Sequence, residues 1–212
     1  GGNGLLPPLD PAYRASGKAV AGEVFVHLFE WRWADIAREC EQFLGPRGYA
    51  AVQISPPAEH AVITSGVGYP WWQRYQPVSY KLDASRSGTL AQFRDMTARC
   101  AAVGVKIYAD VVINHMTAGG GVGSAGSPYS KYEYAAVPWS RADFHLGCGI
   151  SNYNDAANVQ LCELVGLADL RTEDDAVRAK IADYLIALNA EGVAGFRIDA
   201  AKHMQPRDID AI

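Results

Sequence analysis

The chain has 212 residues, 49% hydrophobic and 20% charged, an ordinary globular composition with enough apolar material for one core, or one core plus an insertion. A formal net charge of -4, with no run of Lys or Arg, argues against nucleic acid and anionic membrane surfaces as partners. No apolar run reaches the roughly 18 residues of a membrane span, and Gly1 to Pro8 lacks the features of a signal peptide, so an exported protein would already have lost its leader.

Residues 1–22, with three prolines and several glycines, read as an irregular surface arm. Val24 to Phe29 has the apolar, β-rich character of a buried strand, and Trp31 to Phe43 shows helical spacing in Ile36, Cys40 and Phe43, stopped by Gly45-Pro46-Arg47-Gly48. Tyr49 to Ile54 is a second strand, ended by Ser55-Pro56-Pro57. A connection to about Gly88 is dense in aromatics: Tyr69, Trp71, Trp72, Tyr75 and Tyr80. Leu90 to Val103 is helical, and Val105 to Ile113 is a third strand running into Asn114-His115. This order of strands and helices implies parallel pairing through crossovers.

Between His115 and about Gly166 the pattern breaks, with a Gly-rich tract over 119–126 followed by irregular sequence. Some fifty residues is too long for a plain connection and predicts a small inserted subdomain at 116–166, dividing the chain into 1–115, 116–166 and 167–212. Asp174 to Ala190 carries Val177, Ile181, Tyr184, Leu185 and Leu188 on one helical stripe. Gly192 leads into a buried strand on which Arg197 and Asp199 share a face. A neighbouring guanidinium favours an ionised carboxylate, which suits Asp199 to the part of nucleophile or electrostatic stabiliser. Alone, an Arg-x-Asp reads first as a structural ion pair.

Cys40, Cys100, Cys148 and Cys162 form no Cys-x-x-Cys pair. They allow two disulfides in three connectivities, with Cys40–Cys100 and Cys148–Cys162 favoured over the other pairings and over four buried free thiols. Four strands alternating with three helices fit a (β/α)8 barrel or an open doubly wound sheet. The absence of Gly-x-Gly-x-x-Gly after the first strand lowers the second. Ser55-Pro56-Pro57, Asn114-His115 and Asp199 to His203 all fall at C-terminal strand ends, where barrel enzymes build their sites.

Three segments, Asp110-Val111-Val112-Ile113-Asn114-His115, Gly166-Leu167-Ala168-Asp169-Leu170 and Gly195 to His203, resemble successive signature regions of the α-amylases of glycoside hydrolase family thirteen. Trp71-Trp72-Gln73-Arg74-Tyr75-Gln76-Pro77 is similar to the aromatic substrate segment of animal and actinobacterial members. The resemblance implies an α/β fold, the N-terminal half of a (β/α)8 TIM barrel with an irregular insertion after the third strand. It implies endo-hydrolysis of α-1,4-glucosidic bonds in starch, glycogen and malto-oligosaccharides with retention, Asp199 as nucleophile and Arg197 positioning it. Trp71, Trp72, Tyr75, Gln76 and His115 are expected to bind sugar, with Lys202 and His203 on the leaving-group side. A flat sugar CH face against aromatics agrees with that chemistry.

The resemblance further implies a Ca2+ site made by Asn114, Asp169 and the backbone carbonyls of Gln160 and His203. Oxygen-only ligands from scattered loops suit that ion. Without it, Asn114 would read as a turn residue. The favoured disulfide pairing is the family's, and a secreted monomer is expected. Chloride dependence stays open, because its further ligands would lie on later strands. The acid/base and the third carboxylate of the mechanism have no match, and Asp208 and Asp210 fall in a connection after the fourth strand, so the chain is expected to be part of a longer enzyme. The alternatives are an inactive, calcium-stabilised glucan-binding fragment and a transglycosidase of the same family.

Overall fold

The computed structural model describes residues 24–212, so the expected N-terminal arm lies outside the described residues. Strands β1 (Phe25–Leu28), β2 (Ala51–Ile54), β3 (Lys106–Val111) and β4 (Val193–Ile198) form one sheet in that order. Every neighbouring pair is parallel, so sequence order is spatial order. Parallel neighbours require crossovers. Helices α1 (Trp33–Glu39) and α2 (Leu90–Ala102) serve the first two connections. The third contains the insertion, with the short α3 (Ala156–Leu161), and then α4 (Asp175–Ala190).

The period of two along the strands gives the sheet two unlike faces. Val52, Ile54, Ile107, Ala109 and Val111 point toward the helices and pack with Ile36, Phe93, Met96, Ile181 and Leu188 in a single core. At about 25 cal/mol per Å² of apolar surface, this burial is the main favourable term in the fold. The register His27↔Gln53↔Tyr108↔Gly195 marks the opposite face. Here a Cβ on Gly195 would come within 2.9 Å of the Tyr108 ring, so glycine leaves the room that ring occupies beside β4.

The cysteine pairing is Cys40–Cys100 and Cys148–Cys162. The first joins the ends of two helices beneath the sheet; the second closes a loop within the insertion. The insertion has no separate core: Tyr134, Trp139 and Phe144 are buried in the same cluster as the sheet residues.

Two differences from the sequence reading have local causes. The first helix begins at Trp33 and widens after Glu39 into a π-turn at Cys40–Leu44, closed by Gly45 N donating to Cys40 O at 2.8 Å. A Cβ on Gly45 would stand 2.7 Å from Val103, so only glycine permits that approach. The expected burial of the first and last strands is not met. Phe25 is 51% exposed and Phe196 40%, because each lies on an outer strand with no described neighbour beyond it. Asp208 and Asp210 fall after the fourth strand, as expected, on a short helix, α5 (Pro206–Ala211). Asp208 is buried there, accepting from Arg178 Nη2 at 2.7 Å.

Candidate active site

A cavity of about 670 Å³ opens at the C-terminal ends of the strands. Its polar corner is Arg197 and Asp199. Asp199 N donates to Val111 O at 2.9 Å, carrying the β3–β4 ladder one residue past the strand. That register keeps the Asp199 side chain on the Arg197 side, where Arg197 Nη1 lies 2.5 Å from Asp199 Oδ1. Ala200 then takes a left-handed backbone (φ 51°) and turns the chain into the 3-10 turn Ala201–His203.

Arg197 is itself held from below. Its Nη1 donates to Asp110 Oδ1 at 2.9 Å and Oδ2 at 3.1 Å, and Tyr75 OH donates to Oδ2 at 2.8 Å. Asp110 is fully buried and does not line the cavity. Burial pushes its carboxyl above the ordinary range, against the pull of Arg197 and Tyr75. Burial and the adjacent Asp110 carboxylate push Tyr75 far up, so its phenol keeps its proton. The anchoring role of Asp110 was missed from the sequence. Its signal was one acid within the apolar run Ile107 to Ile113, where a buried charge must be paired.

The aromatic wall is the 3-10 turn Trp71–Tyr75, capped by Pro70. Gln73 and Arg74 face inward. Arg74 Nη1 donates to Ser87 Oγ at 2.5 Å and Nη2 to Pro56 O at 2.8 Å, with its guanidinium over the Trp33 ring. With Arg74 pinned, Trp71 and Trp72 are turned outward, 53% and 42% exposed. Two tryptophans half open beside a cavity do not serve as core. Trp71 meets Tyr75 edge-on at 5.7 Å.

His115 reaches the same wall but is buried. Nε2 donates to Tyr75 O at 2.9 Å, and Nδ1 accepts from Asn114 Nδ2 at 3.2 Å. Burial lowers its pKa, so the imidazole is neutral. Gln76 lines the cavity and accepts through Oε1 from Ala118 N at 3.1 Å. The far wall is apolar: Leu164, Leu167 and Val165, which is 81% exposed with φ 45°. Sequence reading missed these three. Two adjacent apolar residues before Gly166 in a polar insertion were the available signal.

Lys202 and His203 do not line the cavity. Lys202 Nζ lies over the Tyr153 ring at 5.1 Å, and the buried His203 uses Nδ1 on Val159 O at 3.0 Å. That bond sets the turn Ala201–His203 against the helix carrying Gln160. Asn114 and Asp169 are brought together separately, by Leu170 N donating to Asn114 O at 3.0 Å and a bridge between His115 and Asp169. Asp169 is 2% exposed, and burial raises its pKa to about 6 despite His145 Nδ1 at 2.6 Å. Among the described residues no three His, Cys, Asp or Glu side chains cluster as a metal site.

No protein-family model matches the chain. It is 59% identical over 189 residues to an α-amylase of Tribolium castaneum, covering 88% of this chain and 38% of that protein. It is 55% identical to the pancreatic α-amylase of Sus scrofa, covering 88% of this chain and 39% of that protein. The solved α-amylase I of Eisenia fetida superposes with a TM-score of 0.85 at 47% identity, covering 88% of this chain and 39% of that one.

The chain is homologous to the α-amylases of glycoside hydrolase family thirteen. This α-amylase homologue spans under two-fifths of the length of the curated relatives named here. An α-amylase of Malbranchea cinnamomea, at 22% identity and a TM-score of 0.76, shares the fold.

Proposed function

We propose that this chain forms the nucleophile-bearing part of a retaining, endo-acting α-1,4-glucan hydrolase. One observation carries the reading: Asp199 and Arg197 face the same cavity as Trp71, Trp72, Tyr75 and His115. A pyranose presents a flat CH face and a rim of hydroxyls, and this cavity offers aromatic rings and fixed polar groups to match. A solved relative, the α-amylase I of Eisenia fetida, is described in complex with maltohexaose.

In the reaction, Asp199 attacks the anomeric carbon, forming a glycosyl ester as the bond to the leaving oxygen breaks, and a carboxylic acid protonates that oxygen. Water then attacks the same carbon, gives its proton to the carboxylate left behind, and frees Asp199. Retention needs the two carboxyl groups about 5 Å apart. Asp110 is sealed beneath Arg197 and cannot reach a leaving group, so the acid is assigned to strands outside these 212 residues. Those strands would complete an eight-fold barrel of which the four described here are the first half. Arg197 fixes the line of attack. Tyr75 stacks beneath the reacting ring, and His115 Nε2 turns from the Tyr75 carbonyl to a sugar hydroxyl.

Asn114 Oδ1, the Asp169 carboxylate and the carbonyls of Gln160 and His203 are assigned to Ca2+. Oxygen donors of this kind suit that ion: Asp169 is a buried carboxylate bonded through Oδ2 to His145 Nδ1, and Asn114 Oδ1 takes no hydrogen bond from the described residues. The ion would tie the strand ends to the insertion. Secretion accords with two disulfides.

Reducing-sugar release from soluble starch tests the reading. The full-length enzyme is expected to be active and the 212-residue chain inactive. An inactive full-length protein would sink the hydrolase, and an active isolated chain would sink the missing acid. A transglycosidase of the same family would instead yield longer or cyclic products.

A further inference from the structure

The insertion rejoins the barrel along a short ladder. His145 N donates to Asp169 O at 2.9 Å and Arg171 N to Asp143 O at 2.9 Å, while on the other side Leu170 N donates to Asn114 O at 3.0 Å. The main chain around Asp169 is therefore held on both edges. Arg141 Nη1 fixes the partner stretch in turn, donating to Phe144 O at 3.1 Å and His145 O at 2.9 Å. Opposed residues on such a ladder bring their side chains together, and here the His145 ring lies against the Asp169 carboxylate.

That ring has a carboxylate at each end. Nδ1 lies 2.6 Å from Asp169 Oδ2, and Nε2 lies 3.0 Å from both oxygens of Glu173. An ionised carboxylate can only accept, so both nitrogens donate. Glu173 is steadied by Arg171, whose Nε stands 3.7 Å from Oε1. The contacts run from solvent to core: Glu173 is partly open, His145 is mostly covered and Asp169 is buried. A bond to one oxygen fixes the rotation of the Asp169 carboxylate, and with it the direction in which Oδ1 points.

What lifts this pair above a structural tie is the part assigned to Asp169. Of the four oxygen ligands assigned to Ca2+, it alone carries a full negative charge; the Asn114 amide and the carbonyls of Gln160 and His203 are neutral. A hard divalent cation gains most from that carboxylate, so its aim matters most. We propose that His145 is a positioning residue for the cation, holding Asp169 through Nδ1 in the orientation that binds Ca2+, with Glu173 holding the ring. The inference rests on the calcium reading and deepens it: affinity for the ion depends on two residues outside the ligand set. Hydrogen-bond partners of metal-binding side chains contribute about 10–100-fold to affinity.

The test is the Kd for Ca2+ of the full-length enzyme, measured by competition with a chelator of known affinity, with the melting temperature of the metal-free protein recorded beside it. Two amide variants separate the two ends of the ring. His145→Asn keeps an N–H where Nδ1 stands, facing Asp169, and is expected to stay within about threefold of wild type. His145→Gln keeps one where Nε2 stands, facing Glu173, and is expected to raise Kd about tenfold. A purely structural role would lower the melting temperature in both and leave Kd unmoved. A Kd for His145→Gln within twofold of wild type, or equal losses in the two variants, overturns the positioning role. A wild-type enzyme that binds no Ca2+ overturns the calcium reading beneath it and leaves the hydrolase standing.

Discussion

Asp110 and Asp199 share one nitrogen. Arg197 Nη1 lies 2.9 Å from the buried Asp110 Oδ1 and 2.5 Å from Asp199 Oδ1 at the cavity edge. The buried acid fixes the guanidinium and the guanidinium fixes the half-buried acid at the cavity, so the aim of Asp199 is set two side chains away. Asp110→Asn is therefore expected to lower kcat by about tenfold to a hundredfold with a smaller change in KM, the penalty of a slightly misplaced reacting group. Steady-state kinetics on malto-oligosaccharides check it, and a kcat within threefold of wild type would show that Arg197 holds its place unaided.

Asp199→Asn is expected to remove turnover by about a thousandfold or more while maltoheptaose binding stays within a few fold. Calorimetry alongside starch hydrolysis separates the two. Turnover surviving within about tenfold would exclude Asp199 as the nucleophile.

EDTA is expected to lower the melting temperature and added Ca2+ to restore it, since a ligand bound only by the folded state stabilises it by mass action. Asp169→Asn should blunt that response. A melting curve indifferent to chelator in the wild-type protein would remove the proposed ion.

His60 makes stability depend on pH. Burial lowers its pKa to about 4, with Arg74 and Arg86 adding to the effect and Glu59 opposing it. The unfolded chain therefore binds a proton near pH 6.5 that the folded chain refuses until about pH 4. The stabilisation is complete above pH 6.5, falls as pH drops through that window, and amounts to about 3 kcal/mol. Denaturant midpoints from pH 7 to 4 should show this slope in wild type and a flatter one in His60→Gln. Equal slopes would assign the acid sensitivity elsewhere.

The two disulfides differ in loop length, 60 residues for Cys40–Cys100 and 14 for Cys148–Cys162. Chain-entropy arguments give about 4 and about 3 kcal/mol. Paired Cys→Ala variants measured by denaturant unfolding should rank in that order, and a larger loss from the short loop would point to the insertion as the less stable part.

What the sequence disclosed followed from how one-sided each environment is. β2 and β3 are apolar runs because helices cover one face and strands flank both edges, and α2 was legible from the helical spacing of Leu90, Phe93, Met96 and Thr97. Arg197 and Asp199 were legible because strand geometry alone sets their common face. The π-turn was not, since it depends on the space at Gly45 beside Val103. Nor was the sharing of Arg197, which joins residues 87 positions apart. Lys202 and His203 sit beside the site in sequence, yet the left-handed turn at Ala200 carries them to Tyr153 and Val159.

The outer strands β1 and β4 each leave one row of backbone donors and acceptors without a described partner, and β4 carries an open Phe196 as well. Such a margin is a template for any extended segment that meets it. Produced in isolation, the polypeptide will be adhesive, and co-expression with a complementing segment that docks along β4 offers a route to soluble material and a split-enzyme reporter.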